Sequence, residues 1–99
     1  MQILREHAGR GPTAAKTIIS QDAVIVVLGG ALTTTERNLV TRGMDDQVKQ
    51  VRDRLQTSMR DDLIASVEEA LGRRVAALLS DTDVRADVAV EVFTLVPAE

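Results

Sequence analysis

The sequence predicts an α+β domain: an antiparallel sheet of two β-hairpins, in the order β-β-α-α-β-β, backed by one long amphipathic helix and preceded by a short N-terminal helical piece. Two observations at the ends of the chain carry this reading. Residues 13–28 and 74–96 each contain a pair of apolar strand-like segments split by a polar turn. Between them, residues 45–71 repeat their apolar positions at helical spacing, and the chain shows no internal repeat or Pro-rich linker.

Residues 1–8, MQILREHA, read as the end of an N-terminal helix, closed by the GRGP turn at 9–12. Thr13 to Ser20 alternates as an edge-like strand, with Lys16 and Ser20 on one face and Ala15, Thr17 and Ile19 on the other. Ser20-Gln21-Asp22 is polar turn chemistry, and the AVIVVL that follows is apolar on both faces, so it needs neighbours or cover on each side.

Gly29-Gly30 then stands where many proteins hold a phosphate, at a strand-to-helix corner. A phosphate loop requires a Lys-Ser/Thr pair among its glycines, and no lysine lies between Lys16 and Lys49. The better reading is a bend followed by a capped helix: Thr33 and Glu36 have the spacing of a capping box, and Gly43 ends the segment after Arg42.

Val48, Val51, Leu55, Met59, Leu63, Val67 and Leu71 define the amphipathic helix, with Asp45 and Asp46 at its positive end and Gly72 as its stop. Such a helix is about 40 Å long, whereas a compact domain of this size is about 30 Å across. Either it is broken, with Ser58 or Asp61-Asp62 as the weakest points, or one end projects towards a partner. That mismatch is the physical argument for a homodimer or higher homo-oligomer.

The tail predicts strands over 74–81 and 88–96 around the polar turn 82–87. In the last strand Val88, Val90, Val92 and Thr94 line one face and Ala89, Glu91, Phe93 and Leu95 the other. Both faces are largely apolar, which calls for helices over one and further cover over part of the other.

At 99 residues the chain has room for one core, and residues 1–99 are read as a single domain. Phe93 is its one aromatic residue, against 44% hydrophobic content, so the core is aliphatic. With net charge −3, and twelve basic residues interleaved with fifteen acids, neither a basic surface nor aromatic platforms are available for nucleic acid. The absence of cysteine removes disulfide and thiolate chemistry and reads as cytosolic. Its longest apolar run, Ala23 to Leu28, is far below the roughly 20 residues that span a bilayer, so no direct membrane insertion is expected.

Candidate chemistry is sparse. Arg10 and Gly11 in the GRGP turn form the best anion contact, although a plain turn also accounts for them. The single histidine, His7, has no cysteine to complete a zinc set. Asp81, Asp83 and Asp87 form a loose carboxylate loop without the glycine and glutamate spacing of a calcium site. No serine or threonine has an interpretable spacing to the histidine. The expectation is therefore a non-enzyme without metal or cofactor, in which Gly29, Gly30, Thr33, Glu36 and Gly72 are structural.

One ordered set of segments carries more information than any of its parts: GRGP, VVLGGALTTTERNL, VKQVRDRLQ with Arg52, LGRRV, LLSDTD and VEVFTL. In that order they resemble the small domain family named for the C component of the bacterial Na+-translocating membrane potential-generating system. The likeness runs from about Gly9 to Leu95. It implies a non-catalytic cytosolic accessory protein of a membrane cation-translocating or inorganic-carbon-uptake system whose membrane parts are other polypeptides; Arg10, Gly11 and Arg52 are the candidate anion or partner contacts. A small-anion sensor built on Arg10 and the GRGP turn is the alternative.

Overall fold

A computed structural model describes residues 14–97. The N-terminal helical piece, the GRGP turn and His7 lie outside the described residues. The elements are β1 (Ala14–Ile19), β2 (Ala23–Gly29), α1 (Thr34–Thr41), α2 (Asp45–Leu71), β3 (Val75–Asp83) and β4 (Val88–Leu95). This is the expected β-β-α-α-β-β order, and the strands form one antiparallel sheet in the order β1-β2-β4-β3.

Each hairpin comes from local chemistry. Between β1 and β2, the Ser20 amide and hydroxyl both donate to the Ala23 carbonyl. Between β3 and β4, Asp83 accepts from the amides of Arg85 and Ala86, and Asp87 takes φ 54°, an uncommon left-handed value that aspartate tolerates better than most residues. The central strands β2 and β4 join the hairpins, pairing Val24 with Phe93, Val26 with Glu91 and Leu28 with Ala89.

Helix α2 lies across one face of this sheet. Val24, Val26, Leu28, Leu78, Ala89, Phe93 and Leu95 form the main core with Met59 and Leu63, and Leu55, Ile64, Val67 and Leu71 pack around them. Phe93 is fully buried, a burial worth roughly 2–3 kcal/mol. A second cluster of Leu32, Val48 and Val84, flanked by Leu39 and Val40, ties α1 to the start of α2 and to the β3–β4 turn.

Helix α2 is unbroken over its 27 residues, and Ser58 sits within it, donating to the Leu55 carbonyl at 2.7 Å. Neither end projects: Val48 is buried near the first turn and Leu71 packs on the main core at the last. The helix fits because the molecule is elongated, 51 × 21 × 21 Å, instead of spherical. The length mismatch drawn from the sequence thus disappears, and with it the argument that the helix itself requires a second subunit.

Candidate functional site

Three clusters hold the polar groups that the fold brings together. The first is the corner after β2. Gly30 adopts φ 68°, a conformation favourable to glycine, whereas Gly29 is an ordinary strand residue with room for a Cβ beside Ala14. The Gly30 amide donates to the Asp87 carbonyl at 3.0 Å, and the Leu32 amide donates to Asp87 Oδ1 at 3.0 Å. Instead of cradling a phosphate, this bend is stapled to the opposite hairpin turn, and Arg37 closes on the other Asp87 oxygen at 3.7 Å.

From that corner α1 starts as its sequence predicts. The Glu36 amide donates to Thr33 Oγ1 at 3.1 Å, and the Thr33 amide donates to Glu36 Oε1 at 2.8 Å, a complete capping box. Arg52, sixteen residues further on, donates from Nε to Glu36 Oε2 at 2.8 Å and from Nη2 to Oε1 and to the Ala31 carbonyl. This two-pronged grip locks α1 onto α2. Burial pushes the Glu36 pKa up, but hydrogen bonds from Arg52 and Thr33 and the Arg52 charge outweigh it, and the net shift is downward.

The arrangement changes what Arg52 can do. Only 7% of the residue is exposed and its donors face Glu36 and Ala31, so it holds the α1–α2 junction and presents little to an outside partner or anion. Arg10 and Gly11 lie outside the described residues. At the far end of α2, Gly72 takes φ 65° as a left-handed cap, donating its amide to the Glu68 carbonyl at 2.8 Å, as its sequence position predicts.

The third cluster was not singled out as a site in the sequence. Glu91 of β4 is completely buried on the helix-covered face, where Ser80 Oγ donates to Oε2 and Gln56 Nε2 reaches Oε1 at 3.4 Å and Thr82 Oγ1 at 3.0 Å. Burial raises its pKa above the ordinary glutamate value, partly offset by the Ser80 and Gln56 hydrogen bonds. Its sequence signal was a single acid in the otherwise apolar row Ala89, Phe93, Leu95. A polar residue inside such a row marks either an edge or a buried network, and the row alone does not distinguish them.

Above this network lies an open crevice of about 480 Å³ between α2 and β3, lined by Lys49, Asp53, Gln56, Arg60, Ser80 and Asp81 among others. Lys49 sits between Asp53 and Asp81, reaching Asp81 at 2.9 Å. Hydrogen bonds that Lys49 donates to Asp53 and then to Asp81 raise the Lys49 pKa, and those that Asp81 accepts from Lys49 and the Thr82 amide lower its own. Arg60 donates to the Leu78 carbonyl at 2.8 Å, fastening the helix to the strand.

Asp81, Asp83 and Asp87 therefore do not converge. Asp81 turns to Lys49, Asp83 caps its own turn and Asp87 holds the β2 corner. Among the described residues no group of three or more His, Cys, Asp or Glu side chains is placed to hold a metal ion. What the polar clusters do chemically is join elements: α1 to α2, α2 to β3, and the β3–β4 turn to the β2 corner.

Comparison with known proteins gives one assignment. A family model described as "Na+-translocating membrane potential-generating system (MpsC)" matches residues 1–96. No curated protein and no solved structure matches the chain.

Proposed function

Since the chain belongs to the MpsC family of the Na+-translocating membrane potential-generating system, we propose that it is a non-catalytic component that docks on the membrane-embedded parts of a cation-translocating assembly. The family match over residues 1–96 carries this reading. Two features of the molecule support it.

First, no described helix is long and apolar enough to cross a membrane, which is consistent with a part that docks on membrane-embedded components. Second, the charged groups of the candidate clusters pair across elements instead of opening onto one reaction centre. Arg52 with Glu36, Lys49 with Asp53 and Asp81, and Arg37 with Asp87 each join two parts of the fold or two turns of a helix. A component of this kind acts by the surface it offers, in a cytosolic position at the membrane.

Capture of the tagged full-length chain on native membranes of its source tests the proposal. The expected result is saturable retention on those membranes, none on protein-free vesicles of the same lipids, and weaker retention for Arg10→Ala if the GRGP turn touches the partner. Retention by lipid alone, or no retention by native membranes, refutes the docking role.

A further inference from the structure

The face of the sheet opposite α2 is apolar, and no described helix covers it. Strand register fixes its membership. Ile18, Ile25, Val92 and Leu79 form one row across β1, β2, β4 and β3, and Lys16, Val27, Val90 and Asp81 form the next. The row beyond holds Ala14, Gly29, Val88 and Asp83. Ile18 is 44% exposed and Leu79 59% exposed, while the two central strands place no charge on this side.

A solvated face of an antiparallel sheet normally alternates to polar residues. A contiguous apolar surface of this kind marks an interaction site. Its charges stand at opposite margins: Lys16 on β1, and on β3 the exposed Asp81, whose Oδ1 already accepts from Lys49 of α2 and from the Thr82 amide, so that Oδ2 is the oxygen turned to a further partner, while Asp83 caps its own turn.

That distribution selects the occupant. Consider a two-fold axis parallel to the strands, midway between β2 and β4. It carries β1 of one copy over β3 of the other and β2 over β4, leaving each row at its own height. Lys16 then meets Asp81, Ile18 meets Leu79, Val27 meets Val90 and Ile25 meets Val92, every contact occurring twice.

Each edge strand is about 7 Å from the axis, at the usual strand spacing of ~4.8 Å. The inclination of roughly 30° between packed sheets shifts the margins by about 4 Å, within reach of a lysine side chain. The surface is self-complementary in shape class, in hydrophobic pattern and in charge.

We propose that two copies of this chain associate through this open sheet face, forming a β-sandwich with the two α2 helices on its outer sides. The inference deepens the interaction role proposed above and rests on it, in that the docking component would be the dimer. Four strands of about seven residues give a footprint of roughly 450 Å² per copy, near the low end of specific interfaces. Affinity should accordingly be moderate and visible as a concentration dependence.

Light scattering coupled to size exclusion, or sedimentation equilibrium, over low micromolar to near-millimolar full-length protein measures it. The wild type should pass from monomer to dimer and no further. Lys16→Glu should weaken dimerisation by roughly tenfold or more, since like charges then face each other twice. Asp81→Lys should do the same, Lys49 keeping Asp53 as its partner. The double variant Lys16→Glu with Asp81→Lys should recover most of the wild-type affinity.

Val92→Arg at the centre should abolish the dimer while circular dichroism shows the fold retained; should that variant unfold, the charge exchange alone decides. A monomeric wild type, a dimer indifferent to these changes, or a double variant as weak as the singles overturns the proposal. Membrane capture separates the two readings. A monomer still captured by native membranes defeats the dimer alone, whereas a dimer that is not captured defeats the docking role alone.

Discussion

The two faces of the sheet are both largely apolar and differ in what covers them. The face under α2 encloses a carboxyl, Glu91, with Ser80, Thr82 and Gln56 around it, within an aliphatic core, whereas the face that no described helix covers presents isoleucine, leucine and valine. Since both faces are apolar, the position of the helix selects which of them is buried, and it takes one acid down with the core. The lesson is that a sheet apolar on both sides is built for two layers of cover, of which the described helices supply one.

Substitutions on the two faces should separate sharply in their effects. The largest loss belongs to the covered face: Phe93→Ala should cost about 4 kcal/mol in chemical denaturation, because the cavity it leaves lies beneath Met59 and Leu63. A cost below about 1 kcal/mol would mean the covered face is not the core.

Next in size is Arg52→Ala. It strands Glu36 in a partly buried setting and frees α1, so a loss of about 3 kcal/mol is expected. Hydrogen exchange should rise first in α1 and leave the sheet amides protected, an outcome that a general loss of stability would not give.

A smaller and pH-dependent effect should come from Glu91→Gln. Because burial raises the Glu91 pKa in the folded state, folding takes up protons there. Its favourable contribution is complete below the unfolded-state pKa and is lost as pH rises through the folded-state value. The Gln variant should therefore gain stability relative to wild type on going from acid to neutral pH. Glu36 has the opposite sign: its lowered pKa gives stability that is lost as pH falls through the folded value. A Glu91→Gln profile parallel to wild type would show that the acid is not titrating in the fold.

The least effect on the isolated chain is expected on the open face. Leu79→Thr keeps strand propensity and removes an exposed apolar side chain, so monomer stability should change by less than about 0.5 kcal/mol. Measured below the dissociation constant for self-association, a larger loss would show that something in the chain already covers Leu79.

Much of this contrast was legible in the residues. Glu36 three places after Thr33 announced the cap, and Gly72 after Leu71 announced the stop. The alternation of β4 showed that both faces were apolar, and the structure gives one of them to α2. The grip of Arg52 on Glu36 was not legible as a pair, because it closes across sixteen residues and needs α1 folded back onto α2. Glu91 stood out only as an acid in a greasy row; its donors come from α2 and β3, which no spacing along β4 encodes.

The helix-length argument misread the shape. It compared a rod with a sphere, and the molecule is elongated, with Val48 packed on the Leu32–Val84 cluster and Leu71 on the main core.

By itself, the sequence determined the four strands and two helices in their order along the chain, the Thr33 cap and the Gly72 stop, since periodicity, turn chemistry and capping act within a few residues, whereas Thr82 and Asp83, polar enough to read as turn, are the end of β3. Which apolar face α2 would cover, and which polar side chains would close under it, was decided only in three dimensions. Alternation marks two faces without ranking them, and the choice falls to how the connections through Gly30 and Gly72 let the helix lie.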